Sequence, residues 1–293
     1  MNVLSLFDGI STGKLALERA GLEVDNYYSS EIDKFCLKIS YNNYPEIQQL
    51  GAVQNLQTKY LPKIDLLIGG SPCQGFSLAG KGLAFDDPRS ALFFEFLRIM
   101  DEVRPTFFLL ENVRMKKEWL DIITEYMDIE PILINSNTVS PQNRERWYWT
   151  NIPNVSSPPP LNDQTLGDIL EDEVDPKYTP KAETLAKWDG GKHLNPAYSS
   201  QANRIYPLDK KAATICAGTH GYNYGYVVQN GTPRKLTPIE FERLQTLPDN
   251  YTEGVSNTQR YKACGNGWTV DVLAHIFRNI KLAQNYDAAK NNS

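Results

Sequence analysis

The first half of the chain alternates short apolar runs with segments of helical periodicity, and this alternation restricts the fold more than any other feature. The runs that read as buried strands are residues 3–7, 24–30, 64–68 and 106–110, and the helical segments include 14–20 and 91–103. Strands that alternate with helices are typical of a mostly parallel, doubly wound α/β sheet. Ligands bind such sheets at the carboxyl ends of the strands. The sequence therefore predicts a Rossmann-like α/β fold with its site along that edge.

The pattern changes at the Pro158-Pro159-Pro160 run. From there to about residue 232 the chain is rich in Gly, Pro, Asn and Tyr, which indicates a small, irregular second lobe. Helical periodicity then returns. We therefore predict a first domain of residues 1–155 plus 256–293 and a second domain of residues 156–255.

The charge of the chain is uneven. The net charge of -5 argues mildly against a nucleic-acid partner. Residues 177–235, however, carry nine Lys or Arg against three acids, and a local basic face matters more for phosphate contact than the sum. A DNA-binding face and an ordinary solvated surface both remain open from charge alone.

The cysteines give no sign of a metal site. Cys36, Cys73, Cys216 and Cys264 are far apart, and no pair has C-x-x-C spacing, so we expect no bound metal. No apolar stretch is long enough to cross a bilayer, and the start lacks the basic residues of a signal peptide. We therefore expect a soluble, intracellular protein.

The first predicted strand leads into a glycine turn, Asp8 to Gly13. Glu31 lies 22 residues after Gly9, close to the spacing expected for a carboxylate that binds ribose hydroxyls. The turn does not read G-x-G-x-x-G, so an adenosine without a pyrophosphate suits it equally well. A glycine turn that serves only the fold is the alternative.

Two further strand ends carry reactive groups. Cys73 follows a strand between Pro72 and Gly75; a buried structural cysteine is the usual case, but a thiol displayed at a strand end is a candidate nucleophile. Glu111 ends the next predicted strand, where a helix cap is the alternative. Arg144 and Arg146 enter a strand two residues apart, so both could face one cleft, or could form salt bridges at a sheet edge.

Several short motifs occur in a particular order along the chain, from residue 7 to residue 266. They are Phe7-Asp8-Gly9 with Gly13, Gly69-Gly70-Ser71-Pro72-Cys73-Gln74, Glu111-Asn112-Val113, Gln142-x-Arg144-x-Arg146, Arg234-Lys235-Leu236-Thr237-Pro238-x-Glu240 and Gly265-Asn266. In residues and order, nearly from end to end, they resemble the DNA cytosine-5 methyltransferase family. The compact size and Asp168-Ile169-Leu170-Glu171 are similar to bacterial and phage members. Residues 89–96 resemble the catalytic domains of eukaryotic de novo methyltransferases.

The resemblance implies a reaction and a role for each candidate residue. A Rossmann-like sheet would bind S-adenosyl-L-methionine, and a small target-recognition lobe would bind double-stranded DNA. Cys73 would attack C6 of a flipped-out cytosine, and Glu111 would protonate or hydrogen-bond N3. Arg146 would hold O2, and Arg144 would assist. The product of the methyl donor would be S-adenosyl-L-homocysteine.

The resemblance also implies binding residues. For the cofactor they are Phe7, Asp8, Gly9, Ile10, Ser11, Gly13, Glu31, Ile32, Ala52, Val53, Gly70, Pro72, Asn266, Gly267 and Trp268. For DNA the resemblance implies Gln74, Ser77 and Arg89, whereas the basic bias of residues 177–235 adds Lys210 and Lys211, and the hydrogen-bonding side chains of a glycine-rich segment add His220 and Asn223. The last two lie in the glycine-rich segment 218–225, for which a plain turn between strands is the alternative.

One segment departs from the family pattern. Where the family often has Gly-Asp, with the Asp on the adenine amino group, this chain has Gly51-Ala52-Val53. That contact must therefore be lost or be supplied by backbone or a neighbour.

Two other functions remain as alternatives. An RNA cytosine methyltransferase is disfavoured because the Cys-Phe-Glu signature of the tRNA-directed relatives does not occur in this chain. A silent DNA-binding homologue is disfavoured because Cys73 and Glu111 are both present. We expect a monomer without an obligatory protein partner, acting in the cytoplasm of a prokaryotic or phage-infected cell, with or without a companion restriction enzyme.

Overall fold

A computed structural model describes residues 1–71, 91–160, 163–218 and 220–291, with side chains up to residue 283. The chain divides into two compact units. The first unit consists of Met1–Asn135, Glu145–Pro158 and Val270–Ser293, and the second unit of Ser136–Arg144 and Pro159–Thr269. Residues 256–269, which the sequence analysis assigned to the first domain, belong to the second unit.

The first unit contains a seven-stranded sheet. Its strands are β1 (Asn2–Leu6), β2 (Asn26–Ser30), β3 (Gln48–Gln49), β4 (Leu66–Gly69), β5 (Phe107–Val113), β6 (Ile132–Asn135) and β7 (Glu145–Thr150). The order across the sheet is β3-β2-β1-β4-β5-β7-β6. Strands β1 to β5 pair in parallel, and β7 is antiparallel to both neighbours. The predicted α/β class is confirmed.

The described helices divide between the units. They are α1 (Thr12–Arg19), α2 (Lys34–Asn43), α3 (Ala91–Val103), α4 (Lys117–Met127), α5 (Ala182–Leu185), α6 (Pro238–Leu244), α7 (Asn257–Asn266) and α8 (Val270–Asn291). The first four and α8 belong to the first unit. None of the described helices is both long and apolar enough to span a bilayer.

The core of the first unit is made by sheet residues and α3. Leu67 of β4, Leu110 of β5 and Trp149 of β7 are fully buried together with Phe96 of α3. A Cβ on Gly69 would lie 3.0 Å from the Phe96 ring, so only glycine lets α3 pack this closely on the end of β4. This packing fixes the end of the strand that leads toward Pro72 and Cys73.

The second unit holds a three-stranded sheet and an aromatic core. Its strands are β8 (Ile205–Tyr206), β9 (Tyr226–Gln229) and β10 (Thr232–Arg234), in the order β10-β9-β8. The side chains of Tyr206, Tyr222, Tyr224, Phe241 and Tyr261 pack against one another with ring centroids 4.4 to 6.1 Å apart. The small sheet agrees with the predicted irregular lobe.

Candidate functional site

The turn after β1 is built from an unusual backbone. Phe7, Gly9 and Ser11 all have positive φ, at 57°, 62° and 59°. The left-handed conformation costs a residue other than glycine roughly 1–2 kcal/mol, so Phe7 and Ser11 need compensation. A Cβ added at Gly9 would meet nothing within 4 Å, which leaves open space beside that backbone.

The side chain of Asp8 points into the protein. It is 3% exposed and accepts hydrogen bonds from three hydroxyl groups: Tyr27 at 2.7 Å, Ser11 at 2.7 Å and Ser29 at 3.1 Å. The prediction of Asp8 as a cofactor residue stays a prediction; the structure shows that its carboxylate accepts from three hydroxyl groups of the protein. Sequence reasoning missed Tyr27 and Ser29, although both stand at alternate positions of β2 and so share one face.

Glu31 stands at the end of β2 and joins it to the turn. Its Oε2 accepts from Gly9 N at 2.8 Å, and its Oε1 accepts from Ile32 N at 2.7 Å and Asp33 N at 2.8 Å. Each carboxylate oxygen can accept two hydrogen bonds, so Oε2 retains capacity for a further donor. The predicted pairing of the glycine turn with an acid at the next strand end is therefore present in the geometry.

Apolar residues belong to the same region of the first unit as Glu31. Ile32 is 74% exposed, and Val53 is buried at the start of a 3-10 turn, Val53–Asn55. A carboxylate, open backbone and an exposed aliphatic side chain together suit a ribose and a flat purine ring. Ala52 offers no polar side chain, while the neighbouring Gln54 and Asn55 are exposed.

Glu111 lies within β5, because the strand continues to Val113 rather than ending at Leu110 as predicted. The carboxylate is 8% exposed, and its Oε1 lies 2.9 Å from Nε of Arg146 on β7. The antiparallel register places Val113 opposite Arg146, which brings the two charges together across the strand pair. This pairing places a buried carboxylate beside a partly buried guanidinium near the end of a central strand.

Asn112 connects this pair to the segment after β4. Its Nδ2 donates to Ser71 Oγ at 3.3 Å, and both side chains are buried. Ser71 is the last described residue before the Pro72-Cys73 motif. The predicted residues Pro72, Cys73, Gln74, Ser77 and Arg89 lie outside the described residues. Gly70 is described, directly after β4.

Arg144 has a different environment from Arg146. Its guanidinium is buried in the second unit and donates to the carbonyl oxygens of Ile215 at 3.0 Å, Gly265 at 3.1 Å and Gly267 at 2.9 Å. The two arginines therefore bind separate sets of groups. The contacts of Arg144 shape the backbone of the predicted Asn266-Gly267-Trp268 segment, in which Trp268 is buried.

The glycine-rich segment of the second unit is a tight hairpin. Gly218 and Gly221 exchange backbone hydrogen bonds of 3.3 and 3.0 Å. A Cβ on Gly221 would lie 2.6 Å from Thr258 O, and one on Gly225 would lie 2.0 Å from Arg204 O. These glycines therefore allow their backbone to pack closely against other backbone segments of the second unit. Thr219 lies outside the described residues.

Side chains of this hairpin alternate between inside and outside. Tyr222 and Tyr224 point into the aromatic core, where burial raises the pKa of both hydroxyls and keeps them neutral donors and acceptors. His220 and Asn223 are exposed. The predicted DNA-binding residues of the segment are therefore the outward ones.

The predicted basic face of the second unit is smaller than the sequence count implies. Arg234 is 4% exposed and pairs with the buried Glu240 at 2.6 Å. Its charge therefore lies inside the second unit and does not add to a basic surface. Lys210 is exposed, and Lys211 Nζ lies 3.4 Å from Ser140 O. Within the described residues, no group of three His, Cys, Asp or Glu side chains could hold a metal ion.

Comparison with known proteins gives consistent matches. The model of the family described as C-5 cytosine-specific DNA methylase matches residues 1–282. The type II methyltransferase M1.ScrFI of Lactococcus lactis subsp. cremoris is 35% identical over 94% of this chain and 76% of its own length. M.NlaX of Neisseria lactamica is 33% identical over 96% of both chains. The structure of the Entamoeba histolytica methyltransferase EhMeth superposes with a TM-score of 0.79 at 18% identity, covering 97% of this chain and 98% of that one.

Proposed function

Since the chain belongs to the C-5 cytosine-specific DNA methylase family and is a DNA cytosine-5 methyltransferase, we propose that it methylates a flipped-out cytosine of duplex DNA through a covalent bond from Cys73 to C6. The observation that carries this proposal is the buried Glu111–Arg146 pair, joined through Asn112 to Ser71, two residues before Cys73. An acid and a guanidinium are the groups that would hydrogen-bond to N3 and O2 of a cytosine activated by a thiolate.

S-adenosyl-L-methionine, when bound, supplies an electrophilic methyl group. Glu31 Oε2 would accept from a ribose hydroxyl, and Ile32 and Val53 would flank the adenine ring. The open backbone at Gly9 leaves room for the ligand. The buried Trp268 and the Gly267 backbone are proposed to complete the cofactor-binding set.

The chemistry begins at the base. The Cys73 thiolate adds to C6, while Glu111 donates to N3, so that the electron pair of the C5–C6 bond becomes available at C5. C5 would then take the methyl group as the bond from that methyl to the sulfonium sulfur breaks, so that S-adenosyl-L-homocysteine would be released. Loss of the C5 proton and elimination of Cys73 from C6 restore the aromatic ring. Arg146 would hold O2 and, through its contact with Glu111, the position of that acid.

The second unit is proposed to bind and read DNA. His220 and Asn223 would contact base edges, and Lys210 and Lys211 would contact phosphates. Gln74, Ser77 and Arg89 would contact DNA near the flipped base. The exposed positions of His220, Asn223 and Lys210 support this assignment.

The names of the relatives suggest a biological setting. Both sequence relatives are type II methyltransferases of bacteria. We propose that the enzyme acts in the cytoplasm of a prokaryotic or phage-infected cell, and that it modifies one DNA sequence as a monomer. A companion restriction enzyme that cuts the same sequence when unmodified would complete such a system.

The decisive experiment traps the covalent intermediate. Duplex DNA that contains 5-fluorocytosine within the target site should give a denaturant-resistant adduct with the wild type, because fluorine cannot leave C5 as a proton does. Cys73→Ser should give no adduct while it still binds S-adenosyl-L-methionine. Cys36→Ser is the matched control and should give the wild-type adduct. An adduct formed equally by Cys73→Ser would refute the assigned nucleophile.

The target site needed for that experiment can be found first. Bisulfite sequencing of DNA from cells that express the enzyme would identify the methylated sequence. A parallel assay with tRNA should show no methyl transfer. Methylation of tRNA in preference to duplex DNA would overturn the proposed substrate.

A further inference from the structure

The buried carboxylate of Asp8 lies at the centre of a hydrogen-bond network in the first unit. Oδ1 accepts from Tyr27, and Oδ2 accepts from Ser11 and Ser29. Three charge-assisted hydrogen bonds compensate the loss of water around a carboxylate that is 3% exposed. The network therefore gives both oxygens of Asp8 donors from the protein.

The network extends beyond Asp8. Ser11 has one hydroxyl proton, which goes to Asp8, so Ser40 of α2 donates to Ser11 across the 2.7 Å between their Oγ atoms. Gln49 Nε2 at the end of β3 donates to Ser40 Oγ at 3.2 Å. All the donors in this chain point toward the carboxylate, an arrangement in which each bond polarises the next.

The side chain of Ser11 does not make the helix-capping hydrogen bond that is usual at its position. It stands at the N-cap position of α1, where a serine side chain ordinarily accepts from the helix backbone, yet it makes no such bond. Its φ of 59° and that of Phe7, 57°, are left-handed. The bond to Asp8 thus holds a strained residue in place, and Gly9 lies between the two strained positions.

Gly9 is the residue that Glu31 contacts. Gly9 N donates to Glu31 Oε2 at 2.8 Å, so the position of the turn also sets the position of the carboxylate. From these contacts we propose that Asp8 is a positioning residue for the methyl-donor site, which holds the Phe7–Ser11 turn and through it Gly9 and Glu31 without touching the ligand. This inference deepens the proposed function and rests on the proposed S-adenosyl-L-methionine site.

Asp8→Asn keeps the size of the side chain but replaces one acceptor oxygen with a donor, so either Tyr27 or the pair Ser11 and Ser29 loses its acceptor, and the negative charge is lost in both cases. Isothermal calorimetry should show S-adenosyl-L-methionine binding weakened roughly 10- to 100-fold, because hydrogen bonds to charged groups are strong. KM for S-adenosyl-L-methionine should rise to a similar extent, while kcat at saturation stays within about twofold. The dissociation constant for duplex DNA without cofactor should not change.

The hydroxyl donors provide independent variants. Tyr27→Phe and Ser29→Ala each remove one donor, and each should weaken cofactor binding by about threefold or more. Both side chains are buried, and both donate directly to Asp8. Tyr28→Phe is the matched control, since Tyr28 is the next residue of β2 and points to the opposite face; its cofactor affinity should equal that of the wild type.

The outcomes separate the two proposals. If Asp8→Asn folds and binds S-adenosyl-L-methionine as tightly as the wild type, the positioning role is wrong. If Asp8→Asn does not fold, wild-type affinity of both Tyr27→Phe and Ser29→Ala would overturn it. A rise in the dissociation constant for DNA with no change for the cofactor would also overturn it. Absence of binding by the wild type itself would instead remove the proposed cofactor site.

Discussion

The Arg146→Ala variant tests how much the Glu111–Arg146 ion pair contributes to the free energy of unfolding. The charged atoms lie 2.9 Å apart, and the two side chains are 14% and 10% exposed for Arg146 and Glu111. Loss of one member of a buried pair typically costs 3–5 kcal/mol, because the other charge is left buried and unpaired. Because both side chains are partly exposed, we expect a loss at the lower end of this range, about 3 kcal/mol of unfolding free energy.

The same strand pair supplies a control. Arg114 Nη1 lies 2.7 Å from Glu145 Oε2, but these side chains are 64% and 37% exposed. Exposed ion pairs contribute about 0–1 kcal/mol, so Arg114→Ala should lower the unfolding free energy by less than about 1 kcal/mol. The contrast between two ion pairs of similar length isolates the effect of burial.

Urea unfolding of the protein without ligands measures both losses. The double variant Glu111→Gln/Arg146→Ala should be more stable than Arg146→Ala, because it also removes the buried negative charge that the Arg146 guanidinium compensates. Equal losses for Arg146→Ala and Arg114→Ala, or a double variant that shows the sum of both single losses, would refute this account. Methylation activity should be lost in both Glu111→Gln and Arg146→Ala and retained in Arg114→Ala.

The remaining predictions concern the proposed cofactor site and the second unit. Glu31→Ala should weaken S-adenosyl-L-methionine binding by on the order of 2–3 kcal/mol, measured by calorimetry; an unchanged dissociation constant would remove Glu31 from the site. Asn223→Ala should change which sequences are methylated, by about 1–3 kcal/mol per lost base contact, whereas Lys210→Ala should weaken binding to all sequences and flatten the salt dependence. Uniform loss of activity in Asn223→Ala, seen by methylation mapping, would make the hairpin structural only. Gly225→Ala should prevent native packing, because its Cβ would lie 2.0 Å from Arg204 O; a wild-type melting temperature would contradict that.

The sequence predicted the class of the fold because its signals are local. Helix α3 covers Ala91–Val103 as predicted, since Phe93, Phe96 and Ile99 repeat with the spacing of one helix face. Helix α2 was not predicted, because only Ile39 and Ser40 of its residues are buried. Its one clear signal was Asp33, which caps the backbone N–H groups of Phe35 and Cys36.

The roles of two acids depended on partners that the sequence does not place. Glu111 was predicted to end a strand because a charge interrupts an apolar run, yet β5 continues to Val113, and Arg146 of β7 pairs with the Glu111 carboxylate. Asp8 was predicted as a cofactor residue from the resemblance to the family, and its hydroxyl partners Tyr27 and Ser29 come from β2. Pairing between strands is a long-range property, so the residues could be found in the sequence but their contacts could not.

The packing of α1 against α8 also determines when the first unit can be completed during synthesis. Arg19 Nη1 binds Asp271 Oδ1 at 2.7 Å, and these residues are 252 positions apart in the chain. At translation rates of about 5–20 residues per second, α1 waits roughly 10–50 s for its partner. During that time the buried residues of α1, Ala16 and Leu17, have no α8 to cover them. The apolar face of α1 is therefore buried only after the chain has been synthesised as far as α8.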